Sequence, residues 1–332
     1  MAAYFVRGSF PTLQRRVSNR YTLAMNDDAP QTFLGVPASP AAEADVLLLP
    51  LPFEGTVSYG GGTADGPAAV WEASTQIELW DEELDFDLDG LKYFSDQPLT
   101  AHAGESPGDY LARVRAAAAE LHRHRKLVIG VGGEHSLTAP LVEAAAQFGS
   151  PASIDRQPLS GVTVVQFDAH SDLRDELDGH RESHASVMRR VVEQGARVIA
   201  IGIRSAEREE FEYGRASGLV TTYFAQELAE DSDRDRALCD ELAGLAGNVY
   251  LTIDIDGLDA PLCPATGTPQ PGGLGWWQTL RYLRALLRTD AAKRRLIGCD
   301  LVETVPMPGT RINEFTAAKL LAKVIAYHLA TV

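Results

Sequence analysis

The stretch of sequence that decides the fold is Val162–Asp172, Val-Thr-Val-Val-Gln-Phe-Asp-Ala-His-Ser-Asp. Its first six residues are mostly apolar or β-branched without regular alternation, which is typical of a parallel strand covered on both faces. Similar runs recur along the chain from about residue 44 onward. The other predicted strands are Ala44–Leu49, Lys126–Val131, Arg197–Ile203, Leu219–Tyr223, Asn248–Ile253 and Arg295–Leu301.

Helical patterns lie between these strands. They include Pro107–His122, Ser136–Phe148, Ala185–Gln194, Arg234–Leu245 and Trp276–Leu287. Strands alternating with helices predict an α/β protein, a three-layer α/β/α domain with a mostly parallel sheet of about eight strands. No linker is evident, because the Gly/Pro-rich segment 261–275 directly follows a strand and is more typical of an active-site loop. We therefore expect a single catalytic domain over residues 44–332, preceded by an N-terminal arm, residues 1–43.

The composition narrows the possible partners. With 45% hydrophobic and 23% charged residues, the 332-residue chain is typical of globular proteins. A net charge of −16 argues against nucleic acid or an acidic membrane surface as partner, since both require a basic face. It is compatible with a cationic substrate, and equally with an acidic surface that only keeps the protein in solution. No apolar run approaches the roughly 20 residues that span a bilayer.

The cysteines and the N-terminal residues indicate the cellular compartment in which the protein is expected. The three cysteines, Cys239, Cys263 and Cys299, have no C-x-x-C spacing. They predict neither a disulfide framework nor a thiolate metal site, and they favour the reducing cytoplasm. Before Asp27 the chain carries four arginines and no acid, as a transit peptide would. We favour an arm, or an upstream start codon with Met25 as the true first residue.

Residues of metal-binding types follow three of the predicted strands. Their segments are Gly132-Gly133-Glu134-His135-Ser136, Asp168-Ala169-His170-Ser171-Asp172 and Asp254-Ile255-Asp256. Because the carboxyl ends of parallel strands form the ligand crevice of an open sheet, these segments can meet at one edge. Their alternate spacing directs side chains to the same side wherever the backbone stays extended.

The combined donors have the composition of a two-metal site. They are two histidines and four aspartates: His135, Asp168, His170, Asp172, Asp254 and Asp256. Four carboxylates are too many for one structural zinc ion, and carboxylates can bridge two ions. An oxygen-rich set with some imidazole favours manganese over zinc or copper. Two such ions would lower the pKa of a shared water and supply hydroxide near neutral pH.

Each motif has an ordinary structural alternative when taken alone. Asp254-Ile255-Asp256 could be a turn or a helix cap, and Gly132-Gly133 could be a tight turn before a helix capped by Ser136. The conjunction of all three segments behind strands of one sheet favours metal binding.

The same three segments resemble, in order and spacing, the signatures of the arginase/agmatinase (ureohydrolase) family. Further similar segments extend the resemblance over roughly residues 44–330. They are Pro52-Phe53-Glu54-Gly55-Thr56, Ser58-Tyr59-Gly60, Ser183-His184-Ala185, Gly202-Ile203-Arg204-Ser205, Thr266-Gly267-Thr268-Pro269 and Glu303.

The resemblance implies an arginase-like fold and the hydrolysis of a guanidino compound to urea and an amine. The six ligand residues would hold two Mn²⁺ ions, with Asp168, Asp172 and Asp256 as candidates for bridging or shared duty. Glu303 matches the carboxylate that clamps the guanidinium, and His184 matches the histidine that passes a proton to the departing amine. Without the resemblance, His184 could be an exposed helix-start histidine and Glu303 a surface acid. Family members are commonly trimers or hexamers, so a homo-oligomer is expected.

The substrate tail is the open question. The chain departs from the family where Asp259 is followed by Ala260 and Pro261, and where Ala265 replaces a glycine, both in the expected pocket loop. The segment 173–183 is acidic and contains no asparagine, which suits a cationic or a neutral tail better than a carboxylate. We therefore expect agmatine, giving putrescine, with an acidic overhang at Asp175–Glu182. Guanidinobutyrase, arginase, guanidine hydrolase and formimidoylglutamase remain alternatives within the family.

Two other classes of function are less compatible with the sequence. A di-metal phosphoesterase also uses Asp-x-His loops, but phosphate requires arginines or lysines beside the metals, and the metal-ligand segments are followed only by Arg174. A non-catalytic binding protein on the same fold would be expected to have lost ligands, and all six are present.

Overall fold

The computed structural model describes residues 32–148, 157–288 and 294–330. The strands are β1 (Val46–Leu51), β2 (Trp80–Asp81), β3 (Phe86–Asp87), β4 (Tyr93–Ser95), β5 (Leu127–Gly132), β6 (Val162–Phe167), β7 (Arg197–Ile203), β8 (Val220–Phe224), β9 (Gly247–Asp254) and β10 (Arg294–Val302). The α-helices are α1 (Gly66–Ser74), α2 (Pro107–His122), α3 (Thr138–Gln147), α4 (Val187–Glu193), α5 (Arg208–Ser217), α6 (Ala225–Glu230), α7 (Ser232–Gly244), α8 (Trp276–Leu287) and α9 (Ile312–Leu329).

Eight strands form one sheet in the order β4-β1-β5-β10-β9-β6-β7-β8. Every neighbouring pair in this sheet is parallel, whereas β2 and β3 form a separate antiparallel hairpin. All seven predicted strands are found, with ends within two residues of those expected. The eighth, β4, has only three residues and lies at the edge beside β1, which is too short to stand out in the sequence.

Both faces of the sheet are covered, which confirms the predicted three-layer α/β/α fold. Alternate residues of β1 belong to two separate cores, since successive side chains of a strand point to opposite faces. Leu48 belongs to the core that includes side chains of α1, α8 and α9, among them Val70 and Leu280. Leu47 belongs to the core on the other face, which includes side chains of α2, α3 and α4, among them Val191.

Two helices have the bounds that the sequence predicted, α2 and α8. Helix α2 begins where Ser106 Oγ accepts the amide of Asp109 at 3.2 Å and a proline occupies the first turn. The helices predicted from Ser136 and Ala185 are instead preceded by short 3₁₀ turns at His135–Leu137 and His184–Ser186. These turns place two predicted site residues between a strand end or loop and the helix that follows.

The residues just before β1 pack against the domain. Phe33 and Leu34 are buried, and the Leu34 amide donates to Ser74 Oγ of α1 at 2.9 Å. The packed part of the chain therefore includes residues that we assigned to the arm. The rest of the predicted arm, residues 1–31, with Met25, lies outside the described residues.

Within the described ranges, every helix is too short or too polar to cross a lipid bilayer.

Candidate metal centre

The predicted metal ligands and Glu303 lie at the carboxyl ends of four adjacent central strands, β5, β10, β9 and β6. Strand β5 leads to His135, β10 to Glu303, β9 ends at Asp254, and β6 is followed by Asp168. The neighbours of β5 and β9 come from distant parts of the chain, so the site forms where the strand order is discontinuous. This is where open α/β sheets bind ligands.

Close backbone packing brings the β5 end into place. A Cβ atom on Gly133 would lie 1.9 Å from the carbonyl oxygen of Phe53, so only glycine fits there. The Gly133 amide donates to Leu51, and its carbonyl accepts the amide of Glu303 at 2.7 Å. The double-glycine segment thus ties the ends of β1, β5 and β10 together beside His135.

The six predicted ligands are brought into one cluster, in which five are buried and His170 is partly buried. Donor atoms of His135, Asp168 and Asp254 lie within 4.8 Å of one another, and so do those of Asp168, His170 and Asp256. The two groups share Asp168. Asp172 completes the set, because its Oδ2 lies 2.9 Å from Nδ1 of His135. Two adjacent ion sites with a common carboxylate are the arrangement that the donor set predicts.

His135 offers one ring nitrogen to the cluster. Its Nδ1 is buried and makes no hydrogen bond of good geometry, although carboxylate oxygens of Asp168 and Asp254 lie at 3.2 and 3.4 Å. Its Nε2 lies 2.9 Å from Thr252 Oγ1, which itself donates to Asp300 Oδ1 at 2.7 Å. Thr252 therefore accepts the Nε2 proton and leaves the Nδ1 lone pair facing the carboxylates.

The cluster holds more negative charge than its burial tolerates. Burial, followed by Asp256 and Asp168, raises the pKa of Asp254 well above its ordinary value. Burial and then Asp168 raise the pKa of Asp172 to about 7. Burial lowers the pKa of His170, but Asp256 and other acids outweigh it and raise the pKa to about 9. The raised pKa values follow from several carboxylates buried together, an arrangement that favours bound cations, and metal ions would meet that need.

Two site residues have strained backbones. Asp172 has φ 54° and Glu303 has φ 63°, both in the left-handed region that non-glycine residues rarely adopt. The Asp172 carbonyl accepts the amides of Met188 and Arg189 at the start of α4, which holds the strained turn in place. Such strain is tolerated where the surroundings fix a functional geometry.

The Glu303 carboxyl group lies between the metal-ligand cluster and the Thr266–Gly267 wall of the cleft. Its Oε1 accepts the backbone amide of His135 at 2.7 Å, and its Oε2 faces Gly267. Burial, together with the nearby Glu134, raises the pKa of Glu303 well above its ordinary value. One oxygen is thus fixed, and the buried group would gain from a cationic partner.

His184 lies across the cleft among hydroxyl groups. Its Nδ1 lies 3.4 Å from Thr56 Oγ1 and its Nε2 3.4 Å from Ser58 Oγ. Thr56 Oγ1 also accepts the His184 backbone amide at 3.2 Å and donates to Glu134 Oε1 at 2.7 Å. Burial is the largest influence on the His184 pKa and lowers it. The lowered pKa favours the neutral ring, and His184 belongs to neither of the two ligand groups.

The cluster lies at the bottom of an open cleft of about 400 Å³. The predicted acidic overhang is wrong, because within Asp175–Glu182 only Leu177 lines the cleft. Asp175 instead pairs with Arg181 at 2.7 Å and Arg190 at 3.3 Å. The acids that line the outer cleft are Glu207 and Glu210, from the segment after β7.

Several residues of the site were not identified from the sequence. Buried Glu134 accepts the amides of Gly55 and Thr56, each at 2.7 Å, and so holds the loop beneath His184. Thr252 and Asp300 orient His135, and both are polar residues inside otherwise apolar strands. Thr252 precedes Asp254 by two residues, so strand alternation could have placed it on the same face.

Comparisons with known proteins agree with this geometry. The arginase family profile matches residues 44–327. The chain is 38% identical to the N(1)-aminopropylagmatine ureohydrolase of Synechocystis sp., over 86% of this chain and 90% of that one. It is 34% identical to the agmatinase of Pyrococcus horikoshii, over 87% and 94%. The crystal structure of agmatine ureohydrolase of Thermoplasma volcanium has a TM-score of 0.75 and 27% identity, over 90% and 94% of the chains.

The chain therefore belongs to the arginase family. It is an agmatinase-like ureohydrolase, a hydrolase that acts on C–N bonds of guanidino compounds. Enzymes of this family depend on a binuclear metal centre, and the histidine-aspartate cluster supplies residues that fit one.

Proposed function

We propose that the chain hydrolyses a small cationic guanidino compound to urea and an amine at a centre of two manganese ions. The observation that supports this most directly is the buried cluster of two overlapping ligand groups beneath the cleft. Agmatine, which gives putrescine, is the substrate that we favour. N1-aminopropylagmatine is the second candidate, because the Synechocystis relative at 38% identity is named for it.

The six side chains proposed as metal ligands are His135, Asp168, His170, Asp172, Asp254 and Asp256. Four carboxylates and two imidazoles favour manganese, and the shared Asp168 favours two ions close together. When bound, these ions supply Lewis acidity that activates a water near neutral pH. The remaining steps require the protein to hold the guanidinium and to move a proton.

Glu303 is proposed to hold the guanidinium. Because its Oε1 is fixed by the His135 amide, the carboxylate keeps one orientation. A planar guanidinium is matched by such a carboxylate, and its positive charge would restore the ionised form of this buried acid. Glu303 would thus bind the substrate with its scissile carbon above the metal ligands.

His184 is proposed to carry the proton. Because the Thr56 hydroxyl donates its proton to Glu134, Thr56 Oγ1 would accept Nδ1–H of His184 and leave the free lone pair on Nε2. Nε2 can then take a proton from the attacking water and give it to the departing amine. Without that transfer the leaving group would be an amide anion.

The substrate tail is proposed to be cationic because of an acid in the outer cleft, Glu207, and not because of the segment Asp175–Glu182. Glu207 lies in the outer cleft and pairs with Arg174 at 2.9 Å, whereas Glu210 is occupied by Ser171 and the Leu173 amide. Glu207 is the outer acid that is free to exchange its partner for a substrate ammonium. This favours agmatine or its aminopropyl derivative over arginine.

A phosphoesterase is disfavoured by the same cleft. Among the described residues that line it, Arg174 is the single lysine or arginine, and it is paired with Glu207. Beside the metals, phosphate would meet several carboxylates and, among the described lining residues, no unpaired lysine or arginine.

The test is product release from manganese-loaded protein over a panel of substrates. Agmatine, N1-aminopropylagmatine, arginine, guanidinobutyrate and guanidine are assayed for urea, and a phosphate ester for phosphate. Urea from one of the first two, with metal analysis near two ions per chain, is the expected result. Phosphate release, urea only from guanidinobutyrate, or full activity without metal would each overturn the proposal.

A further inference from the structure

The Gly202-Ile203-Arg204-Ser205 segment has no role in binding the metals or the substrate as proposed above. Arg204 nevertheless has an unusual environment, because the five hydrogen bonds of its guanidinium all go to backbone carbonyls. Nε donates to Pro271 at 3.0 Å, Nη1 to Gly202 at 3.0 Å, and Nη2 to Asp256, Gln270 and Leu258 at 2.7, 2.8 and 3.3 Å.

Four of these five carbonyls belong to the two ends of one loop, and the fifth, that of Gly202, lies in β7. Asp256 and Leu258 begin the segment 256–271, and Gln270 and Pro271 end it. The middle of this segment, Thr266–Thr268, lines the cleft, and a Cβ atom on Gly267 would lie 3.6 Å from Oε2 of Glu303. The guanidinium therefore joins the two ends of the loop whose middle faces the carboxylate proposed to bind substrate.

A second tie closes the same base. Asp259 Oδ1 accepts the amides of Gly272 and Gly273 at 2.8 and 3.0 Å. Gly273 has to be glycine, because a Cβ atom there would lie 2.7 Å from Arg204 Nη2 and 2.6 Å from the Leu258 carbonyl oxygen. The base of the loop is therefore built closely around the guanidinium.

We propose that Arg204 is a positioning residue that closes the base of the loop 256–271 and so holds Thr266–Thr268 against the substrate side of Glu303. It acts through the backbone and does not touch the substrate. Its planar fork of five N–H donors reaches carbonyls on both loop ends, whereas a lysine ammonium concentrates its donors at one point. As far as it concerns a guanidino substrate, this inference rests on the proposed function.

The test compares Arg204→Lys with Arg208→Lys in the manganese-loaded protein. Arg208 is an exposed residue at the start of α5, four positions along the chain, so its variant controls for an arginine-to-lysine change. Hydrogen exchange is followed in a peptide covering residues 265–275, which contains the amides of Gly272, Gly273 and Leu274. KM and kcat for the guanidino substrate are measured on the same samples.

For Arg204→Lys, exchange in this peptide should be at least about tenfold faster, while that of a β6 peptide is unchanged, because amides exchange through local opening. KM should rise by roughly tenfold or more and exceed the change in kcat, since the substrate loses the loop wall but not the proposed catalytic groups. Arg208→Lys should behave like the natural chain.

Unchanged exchange with unchanged KM would overturn the inference. Faster exchange with an unchanged KM would also overturn it, since Arg204 would then stabilise the base of the loop without affecting substrate binding in the cleft. If Arg204→Lys does not fold, Asp259→Asn weakens the second tie at the same base and should give the same pattern to a smaller extent. If the natural chain cleaves no guanidino compound, the proposed function fails, and the exchange experiment still decides whether Arg204 closes the loop.

Discussion

The bottom of the cleft and its outer rim differ in how far the sequence determines them. At the bottom, six predicted ligands converge because each follows a central strand at a spacing fixed by the backbone. At the rim, the acids of 175–182 were expected over the cleft, yet Asp175 pairs with three arginines elsewhere. A residue at the end of a strand has a position that the sheet fixes. The charge of a loop residue does not determine where its side chain points.

The largest effect that tests this contrast comes from the shared ligand. Asp168→Ala should remove both ions, because Asp168 belongs to both ligand groups, and turnover should fall by roughly four orders of magnitude or more, since water activation is lost. Metal analysis and urea release measure this. Asp175→Ala at the rim is the control and should stay within about twofold of the natural chain, as exposed ion pairs contribute little. Two bound ions in the Asp168 variant would contradict the assignment.

A second prediction separates a proton carrier from a ligand. His184→Ala should keep both ions but lower turnover by about two to four orders of magnitude, which is the usual contribution of a positioned acid or base. His180 is an exposed rim histidine, and His180→Ala serves as the matched control. Loss of metal from the His184 variant would show that a ligand had been taken for a proton carrier. Unchanged turnover would leave His184 as an ordinary residue at a helix start.

The third prediction concerns the hydrogen bond by which Thr252 orients the ring of His135. Thr252→Val removes the acceptor of His135 Nε2, so manganese affinity should fall by about 10- to 100-fold, as is typical when the partner of a metal-bound histidine is lost. Thr252→Ser keeps the hydroxyl group and should restore most of the affinity. Titration with manganese, followed by the recovery of activity and by calorimetry, distinguishes the two variants. Equal affinity in both would mean that the hydroxyl group does not orient the ring.

These cases show which parts of the site could be predicted from the sequence. The parallel strands and their ligand motifs could, because buried strands are continuous apolar runs and alternation fixes side-chain direction. His184 was found only through resemblance to a family, since nothing local distinguishes it from a helix-start histidine. Asp300 and Arg204 could not be assigned, because their partners at Thr252 and Asp256 lie 48 and 52 residues away in the sequence. Contacts between residues so far apart in the sequence become visible only in the folded structure.

The smallest expected effect lies at the mouth of the cleft. Here the ion pair of Glu207 and Arg174 takes the place of the acidic overhang expected at Asp175–Glu182. Glu207 and Arg174 lie 2.9 Å apart, and both line the cleft. In the natural chain Glu207 should attract the ammonium of agmatine. The carboxylate of arginine should gain little from Arg174, because Glu207 already balances the charge of that side chain. Glu207→Gln leaves Arg174 unpaired and keeps a side chain of nearly the same shape.

The ratio of kcat/KM for agmatine to that for arginine should therefore fall by about tenfold, close to 1.4 kcal/mol, in the Glu207→Gln variant. The effect should be modest and should shrink in high salt, because Glu207 is more than half exposed and screened by solvent. Glu176→Gln, at an exposed acid whose side chain does not line the cleft, is the matched control and should leave the ratio unchanged. If Glu176→Gln lowers the ratio and Glu207→Gln does not, the rim acts on the substrate after all, and the outer cleft would have to be rearranged when substrate binds.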